Sequence, residues 1–140
     1  MQLDSTLETS RSRCVDRQGE RKDILTVLEK YVETEQLHDV EGQVRWFRFP
    51  YRFGRENRAF ETVNEQEFRE VLTGKAKRFH DRYGTRNAVI TLFNRSVKFF
   101  GKTFGVASFD WEYAFPDGET RYGLGNTLFL KQDSTWKIVM

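Results

Sequence analysis

The residue in this sequence best suited to move a proton is Asp110, because it lies in an aromatic-rich stretch whose alternation predicts a strand. Side chains alternate between the two faces of a strand, so residues 103–115 present two different surfaces. One face carries four rings, those of Phe109, Trp111, Tyr113 and Phe115. The other carries Ser108, Asp110 and Glu112. If the polar face points inward, Asp110 becomes a candidate general base in an apolar surrounding.

The alternative, which we favour, turns the aromatic face inward, because burying large rings gains more free energy than burying polar groups. The 140-residue chain holds 13 Phe, 5 Tyr and 3 Trp, more ring surface than a plain core of this size needs. Rigid rings leave shaped gaps, so we predict an apolar pocket for a small flat or cyclic ligand. Its predicted lining residues are Tyr31, Trp46, Tyr51, Phe53, Phe79, Trp111 and Tyr113.

A second aromatic stretch, RWFRFPYRFGR at residues 45–55, could serve either a nucleic-acid surface or a pocket wall. Stacking on bases needs the rings and the arginines on one exposed side. Strict alternation instead places Phe47, Phe49, Tyr51 and Phe53 on one face, with Arg48 and Arg52 opposite. The net charge is only +2, low for a protein that neutralises many phosphates. We therefore predict that the rings point inside and that nucleic acid is not a partner.

No metal or cofactor site is predicted. His38 and His80 lie at the ends of separate predicted helices, without the paired spacing of metal ligands. The triplet Gly101-Lys102-Thr103 resembles the end of a phosphate-binding loop, but Ser96 stands where that loop needs a glycine, so a hairpin turn is favoured. The basic stripe formed by Lys75, Arg78 and Arg82 is interpreted as a solvated helix face.

The order of elements predicts one α+β domain over residues 16–140, preceded by a flexible arm over residues 1–15. Three helices are expected, over residues 16–38, 39–47 and 65–83. The last is capped by Asn64 with Glu67 three residues later, and Gly84 ends it. Strands are expected over residues 47–53, 58–63, 87–95, 103–115, 120–131 and 135–140, with a turn at 54–57.

The cellular location predicted from the sequence is the cytoplasm. Cys14 is the only cysteine, so no disulfide can form within the chain. The N-terminus has no apolar run of the kind that a secretory signal requires. No segment approaches the length of about 18 apolar residues that crosses a membrane, so no membrane partner is predicted.

Three segments resemble the NTF2-like superfamily, which includes SnoaL-type cyclases and ketosteroid isomerases. They are LHDVEGQVRWF (37–47), GTRNAVITLFNRSVKFFGKTFGVASF (84–109) and GNTLFLKQDSTWKIVM (125–140). The resemblance covers residues 17–140. It implies a cone, also called a cystatin-like roll, in which three helices pack on a strongly curved, mostly antiparallel sheet. It further implies an apolar pocket inside the cone and dimerisation through the outer sheet face.

The catalytic signatures of the family's enzymes do not carry over to this chain. Where ketosteroid isomerases place an acidic base, this sequence has Arg55, and where some members place a histidine it has Arg86-Asn87-Ala88. Tyr31 lies near the first-helix tyrosine that donates to an oxyanion in the isomerases, although a helix tyrosine among leucines also suits a core.

Two function classes therefore stay open. The first is a small-molecule-binding protein, which includes an enzyme of the isomerase, cyclase or dehydratase type. The second is a non-catalytic protein-interaction module. In both, a homodimer through the sheet is expected.

Overall fold

The computed structural model describes the backbone of residues 2–55 and 58–140 and the side chains of residues 17–54 and 59–140. Within these ranges there are three helices: α1 (Gln2–Gln36), α2 (Val40–Val44) and α3 (Glu65–Tyr83). Six strands accompany them: β1 (Tyr51–Arg55), β2 (Arg58–Thr62), β3 (Val89–Phe100), β4 (Phe104–Ala114), β5 (Thr120–Gln132) and β6 (Thr135–Ile138). The predicted α+β class, with helices on an antiparallel sheet, is confirmed.

Helix α1 packs on the sheet through residues at helical spacing, with Ile24, Val27 and Leu28 buried. It begins at Gln2 rather than near Asp16, where the sequence predicts its start. A helix propagates more easily than it nucleates, so a packed segment can extend through residues that lack an apolar stripe. The predicted start of the first helix near Asp16 is therefore wrong, while the flexibility of residues 1–15 stays a prediction.

Contacts of Arg17, in the middle of α1, and of Gln36, at its C-terminal end, align the helix with β3. The Arg17 guanidinium donates to the backbone carbonyl of Gly101, at 2.5 Å, in the turn that joins β3 to β4. The Gln36 side-chain oxygen accepts from the backbone N–H of Ile90, at 2.6 Å. The C-terminal third of α1 thus lies over the start of β3, which places Tyr31 and its neighbours there.

Helix α2 is shorter than the helix predicted over residues 39–47. Asp39 caps it, since its carboxylate accepts from the backbone N–H of Gly42 at 3.0 Å. The chain then leaves the helix to pair with β6: the Ile138 N–H donates to the Trp46 carbonyl at 2.7 Å, and the Arg48 N–H donates to the Ile138 carbonyl at 2.9 Å. These bonds explain why the helix stops at Val44.

The hairpin of β1 and β2 has the predicted alternation. Phe47 is buried and its ring centroid lies 4.6 Å from that of Tyr51, whereas Arg48 and Arg52 are exposed. The two strands pair from Tyr51↔Thr62 to Arg55↔Arg58. Of the turn predicted over residues 54–57, residues 56 and 57 lie outside the described residues. The inward direction predicted for the rings holds for Phe47, Phe49 and Tyr51, which pack on Phe68, while Phe53 stacks on Phe60 towards the surface. The arginines are exposed, as predicted.

Helix α3 begins and ends where the sequence predicts. The Asn64 side-chain oxygen accepts from the Glu67 N–H at 2.9 Å, and the Glu67 carboxylate accepts from the Val63 N–H at 3.2 Å. Gly84 follows with φ = 67°, a left-handed conformation that favours glycine. The apolar face of α3 contributes Phe68 and Leu72 to the core.

The main sheet has the order β3-β4-β5-β6, and every neighbouring pair is antiparallel. A register shift interrupts the β3–β4 pairing between Phe93 and Ser96, where Asn94 has φ = 54°. Such a bulge bends the strand and increases its twist, which helps the sheet curve around the helices. No helix within the described residues is both long and apolar enough to cross a membrane.

The helices cover one face of the sheet, which we call the inner face. Its centre is formed by the buried residues Ala107, Phe129 and Ile138, which pack with Ile24 and Leu28 of α1. Gly105 allows the close approach of α1, because a Cβ there would lie 2.7 Å from Cδ1 of Ile24. Small residues on β4 therefore decide how deeply the helix lies in the curved sheet.

Candidate functional site

The inner face of β4 is the aromatic one. The ring of Trp111 lies over Gly123 and that of Phe109 over Gly125, so that a Cβ at either glycine would overlap the ring. Tyr113 continues this row, since residues two apart share a face of a strand. Glycine on β5 thus makes room for rings on β4, and the inner surface at this end of the sheet is mainly aromatic.

Asp110 lies on the opposite, outer face of β4. Its carboxylate accepts from the side-chain amide of Asn94 at the β3 bulge, at 2.6 Å, and is only partly buried. It therefore does not share a surface with Trp111 and Tyr113. A role for Asp110 as a base stays a prediction, but any such role would be exerted on the outer face rather than inside the cone.

The charge of one carboxylate, that of Glu35, acts on three phenols. Tyr31 of α1, Tyr51 of β1 and Tyr113 of β4 all lie within range of the charge of Glu35. Burial is the main cause that raises their pKa values, and the negative charge of Glu35 raises them further. The pKa rises to about 12 for Tyr51 and for Tyr113, and well above its ordinary value for Tyr31. All three are therefore neutral hydrogen-bonding groups at physiological pH.

The charge of Glu35 is balanced by Lys75, which reaches it from α3. The Lys75 Nζ lies 3.0 Å from the Glu35 Oε1, close enough for a charge-assisted hydrogen bond. The Glu35 side chain is only 19% exposed, while that of Lys75 is 47% exposed. The carboxylate thus faces inward and the lysine closes it off from the solvent side.

A histidine pair borders this cluster, although the sequence predicts the two histidines at separate helix ends. The ring centroids of His38 and His80 are 5.2 Å apart, and Phe79 packs on His38 at 4.5 Å. The Nε2 of His38 is buried and has no hydrogen-bond partner within the described residues. Burial lowers the pKa of His38, and the charges of His80 and Lys75 lower it further, so the ring is neutral near pH 7.

The remaining predicted lining residues occupy different positions. Tyr51 links the phenols to a ring cluster, since it lies 5.6 Å from Phe68 and 5.7 Å from Phe53. Phe53 itself stacks on Phe60 of the hairpin at 4.8 Å, towards the surface. Trp46 is half-buried beside β6 and makes no ring pair within the described residues. The charge of Glu35 acts on Tyr31, Tyr51 and Tyr113. Phe53 adjoins this group through its stacking on Tyr51, and Trp46 lies beside β6.

Glu35 was not identified from the sequence, and Lys75 was interpreted as part of a solvated basic stripe, whereas the structure pairs it with Glu35. Glu35 follows Tyr31 by four residues, which places the two side chains on the same face of α1. That spacing is a usable signal for Glu35, but it does not indicate which charge balances it. Lys75 lies on a different helix, and its partner is set by the packing of α3 against α1.

A groove of about 310 Å³ lies between α1 and the edge strand β3. Its walls include Leu92 and Ile90 of β3 and Val32 of α1, with Glu29 and Arg95 at the rim. These two charged residues pair with each other. The groove contains none of the predicted lining residues.

The outer face of the sheet carries an exposed apolar area that we call the outer patch. It consists of Phe93 on β3, Tyr122 on β5 and Leu124 on β5, which is 81% exposed. Phe93 and Leu124 flank Asp110 in the sheet register. Monomeric proteins seldom expose grouped apolar side chains in this way without an interaction surface.

Comparison with known proteins finds similarity in fold. A NTF2-like protein of unknown function from Pseudomonas putida KT2440 has a TM-score of 0.71 and 12% identity, covering 87% of this chain and 83% of that one. A putative scytalone dehydratase from Novosphingobium aromaticivorans has a TM-score of 0.65 and 14% identity, covering 93% and 83%. The association domain of C. elegans CaMKII has a TM-score of 0.62 and 14% identity, covering 89% and 94%. No protein-family model and no curated protein matches the chain.

Proposed function

Because this chain has the NTF2-like fold, we propose that it binds a flat or cyclic, largely apolar small molecule between its helices and the inner sheet face. The observation that carries this proposal is the convergence of Tyr31, Tyr51 and Tyr113 near Glu35. Neutral phenols among rings provide apolar contact together with a few orienting hydrogen bonds, which is the usual composition of a small-molecule site.

A reaction of the isomerase, cyclase or dehydratase type would need a group that accepts or donates a proton. One of the similar folds belongs to a putative scytalone dehydratase, which makes this class a reasonable one to assay. Glu35 is the carboxylate whose charge acts on all three phenols, and Asp110 is the base proposed from the sequence. Asp110→Asn and Glu35→Gln, tested on any compound that binds, distinguish these two candidates.

Binding is tested by tryptophan fluorescence against a panel of cyclic ketones, phenols and aryl alcohols, because Trp111 lies on the inner face beside Tyr113. We expect at least one compound to shift the emission. Tyr113→Phe should then lower the affinity for that compound by roughly two- to tenfold. This is the effect of losing one hydrogen bond of about 0.5–1.5 kcal/mol.

The matched control is Tyr122→Phe, which removes the same hydroxyl from the exposed outer face and should leave binding unchanged. If no compound shifts the emission and Trp111→Ala changes only stability, the proposed binding site fails. An equal loss in both tyrosine variants would also count against it.

The second candidate function is an interaction module that dimerises through the outer patch. The exposed Leu124 and Tyr122, 81% and 69% exposed, favour it. One of the similar folds is an association domain. If this is the function, the aromatic side chains of the inner face only stabilise the core, and the outer patch of the sheet binds other proteins.

We expect a homodimer in sedimentation velocity at tens of micromolar protein, because pairing two outer patches removes Phe93, Tyr122 and Leu124 from water. Leu124→Glu should shift the population to monomer, since it buries a charge in the interface. Val71→Glu, an equally drastic change at an exposed site on α3, should leave the dimer intact. A wild-type protein that sediments only as a monomer would contradict the expected dimer.

A further inference from the structure

The Glu35 carboxylate in the inner site needs a positively charged group beside it. The carboxylate is 19% exposed and lies near three phenols that are themselves neutral. A largely buried carboxylate without a counter-charge is costly, and phenol donors relieve only part of that cost. Of the two histidines that border the cluster, burial lowers the pKa of His38, which is neutral near pH 7. The positive charge therefore comes from the Lys75 ammonium, 3.0 Å away.

The position of Lys75 allows its ammonium group to move away from Glu35 into the solvent. Its side chain starts from the outer part of α3 and is 47% exposed. Its one hydrogen-bond partner within the described residues is Glu35. A lysine has four rotatable bonds, and swinging the ammonium into water restores its full hydration. Tyr31 and Tyr51, by contrast, are held by ring contacts to Phe47 at 5.2 and 4.6 Å.

A cation can take the position that Lys75 vacates without leaving the charge of Glu35 uncompensated. A neutral ligand that displaced the lysine would strand the carboxylate, and an anion would be repelled by it. A primary ammonium has three N–H donors, which match the carboxylate and the oxygen atoms of the neighbouring phenols. Tyrosine rings also attract cations through their faces.

We infer that the ligand of the inner site carries a primary ammonium group on an apolar ring, and that Lys75 occupies the ammonium position when the ligand is absent. This inference rests on the proposed binding function and specifies its ligand class. Glu35 is then the residue that selects the charge of the ligand. The three phenols and the aromatic side chains of the inner face contact the apolar ring of the ligand.

The probes are 2-phenylethylamine, which is a cation near neutral pH, and 2-phenylethanol, a neutral compound of the same size. Calorimetric titration compares both on the wild-type protein, Lys75→Met and Glu35→Gln. Removing the internal competitor in Lys75→Met should raise the affinity for the amine about tenfold or more, the order expected for one charge-assisted hydrogen bond. The affinity for the alcohol should change less than threefold or so in the same variant.

Glu35→Gln should remove the preference for the amine over the alcohol. The matched controls are Lys77→Met on α3 and Glu33→Gln on α1, which make the same charge changes at exposed positions. Both should behave as the wild type. Circular dichroism of each variant verifies that the fold is retained.

The outcomes separate the two proposals. Binding of the alcohol, without tighter binding of the amine in Lys75→Met, overturns the ammonium inference and leaves the small-molecule site standing. A lower affinity for the amine in Lys75→Met also overturns the inference, because it shows that Lys75 assists the ligand. Binding of neither probe to the wild type or to Lys75→Met overturns the inference, and, when no panel compound shifts the emission, the proposed function fails as well.

Discussion

Replacing Phe129 by alanine is expected to lower the free energy of unfolding by about 3–5 kcal/mol, the largest effect of any single change considered for this protein. Phe129 is 0% exposed and lies on the inner face of β5, between Gly105 of β4 and Ile138 of β6. Its ring fills the space between the sheet and α1, where Ile24 and Leu28 are also buried. A small neighbour such as Gly105 has no side chain that could move into the cavity.

Urea unfolding followed by circular dichroism measures this loss as a lower midpoint at an unchanged slope. Phe100→Ala is the matched control, because Phe100 lies at the hairpin end of β3 and is 58% exposed. It should cost less than about 1 kcal/mol. Equal losses in the two variants would show that the core is not where the structure places it.

The second large effect is a loss of stability between pH 10 and pH 12. Burial and the charge of Glu35 raise the pKa of Tyr51 and of Tyr113 from 10.0 to about 12 in the folded protein. An unfolded tyrosine releases its proton near pH 10, so above this pH the unfolded state binds fewer protons than the folded state. The stabilisation is therefore complete below pH 10 and is lost as the pH rises through 12.

Each of the two phenols should contribute up to about 2 kcal/mol to this loss, after allowance for screening of their partly exposed surface. Unfolding free energies measured at a series of alkaline pH values test the prediction, together with the phenolate absorbance of the folded protein. Tyr51→Phe and Tyr113→Phe should each flatten the decline, and Tyr122→Phe should not. A wild-type stability that is constant over this range would contradict the burial of these two phenols beside Glu35.

Much of the fold follows from local patterns. The cap of α3 is one example: Asn64 and Glu67 satisfy backbone N–H groups within four residues, so no distant contact is needed to predict it. The alternation over residues 47–53 is another, because a strand sends neighbouring side chains to opposite faces whatever it packs against. The bounds of α1 and α2 were harder to predict, since helix length responds to packing and to pairing with β6.

The candidate site was predictable only in part. Tyr31, Tyr51 and Tyr113 were identified as pocket residues because phenols in an aromatic-rich chain suit an apolar site with polar groups. Phe53 and Trp46 were assigned to the same pocket by residue type, although type does not encode distance. Phe53 adjoins the phenols through Tyr51, whereas Trp46 lies beside β6, and both positions follow from where the hairpin and β6 lie.

The sequence by itself determined the class of fold, the caps, the turns and the alternation of rings and arginines, because these depend on residues a few positions apart. The tertiary structure decided which face of β4 points inward, through the room that Gly105, Gly123 and Gly125 leave for α1 and for the rings. It also decided that Glu35 meets Lys75 across 40 positions and that His38 meets His80. Such pairs arise from the distance and angle at which helices pack, and these are set by the whole core rather than by either segment alone.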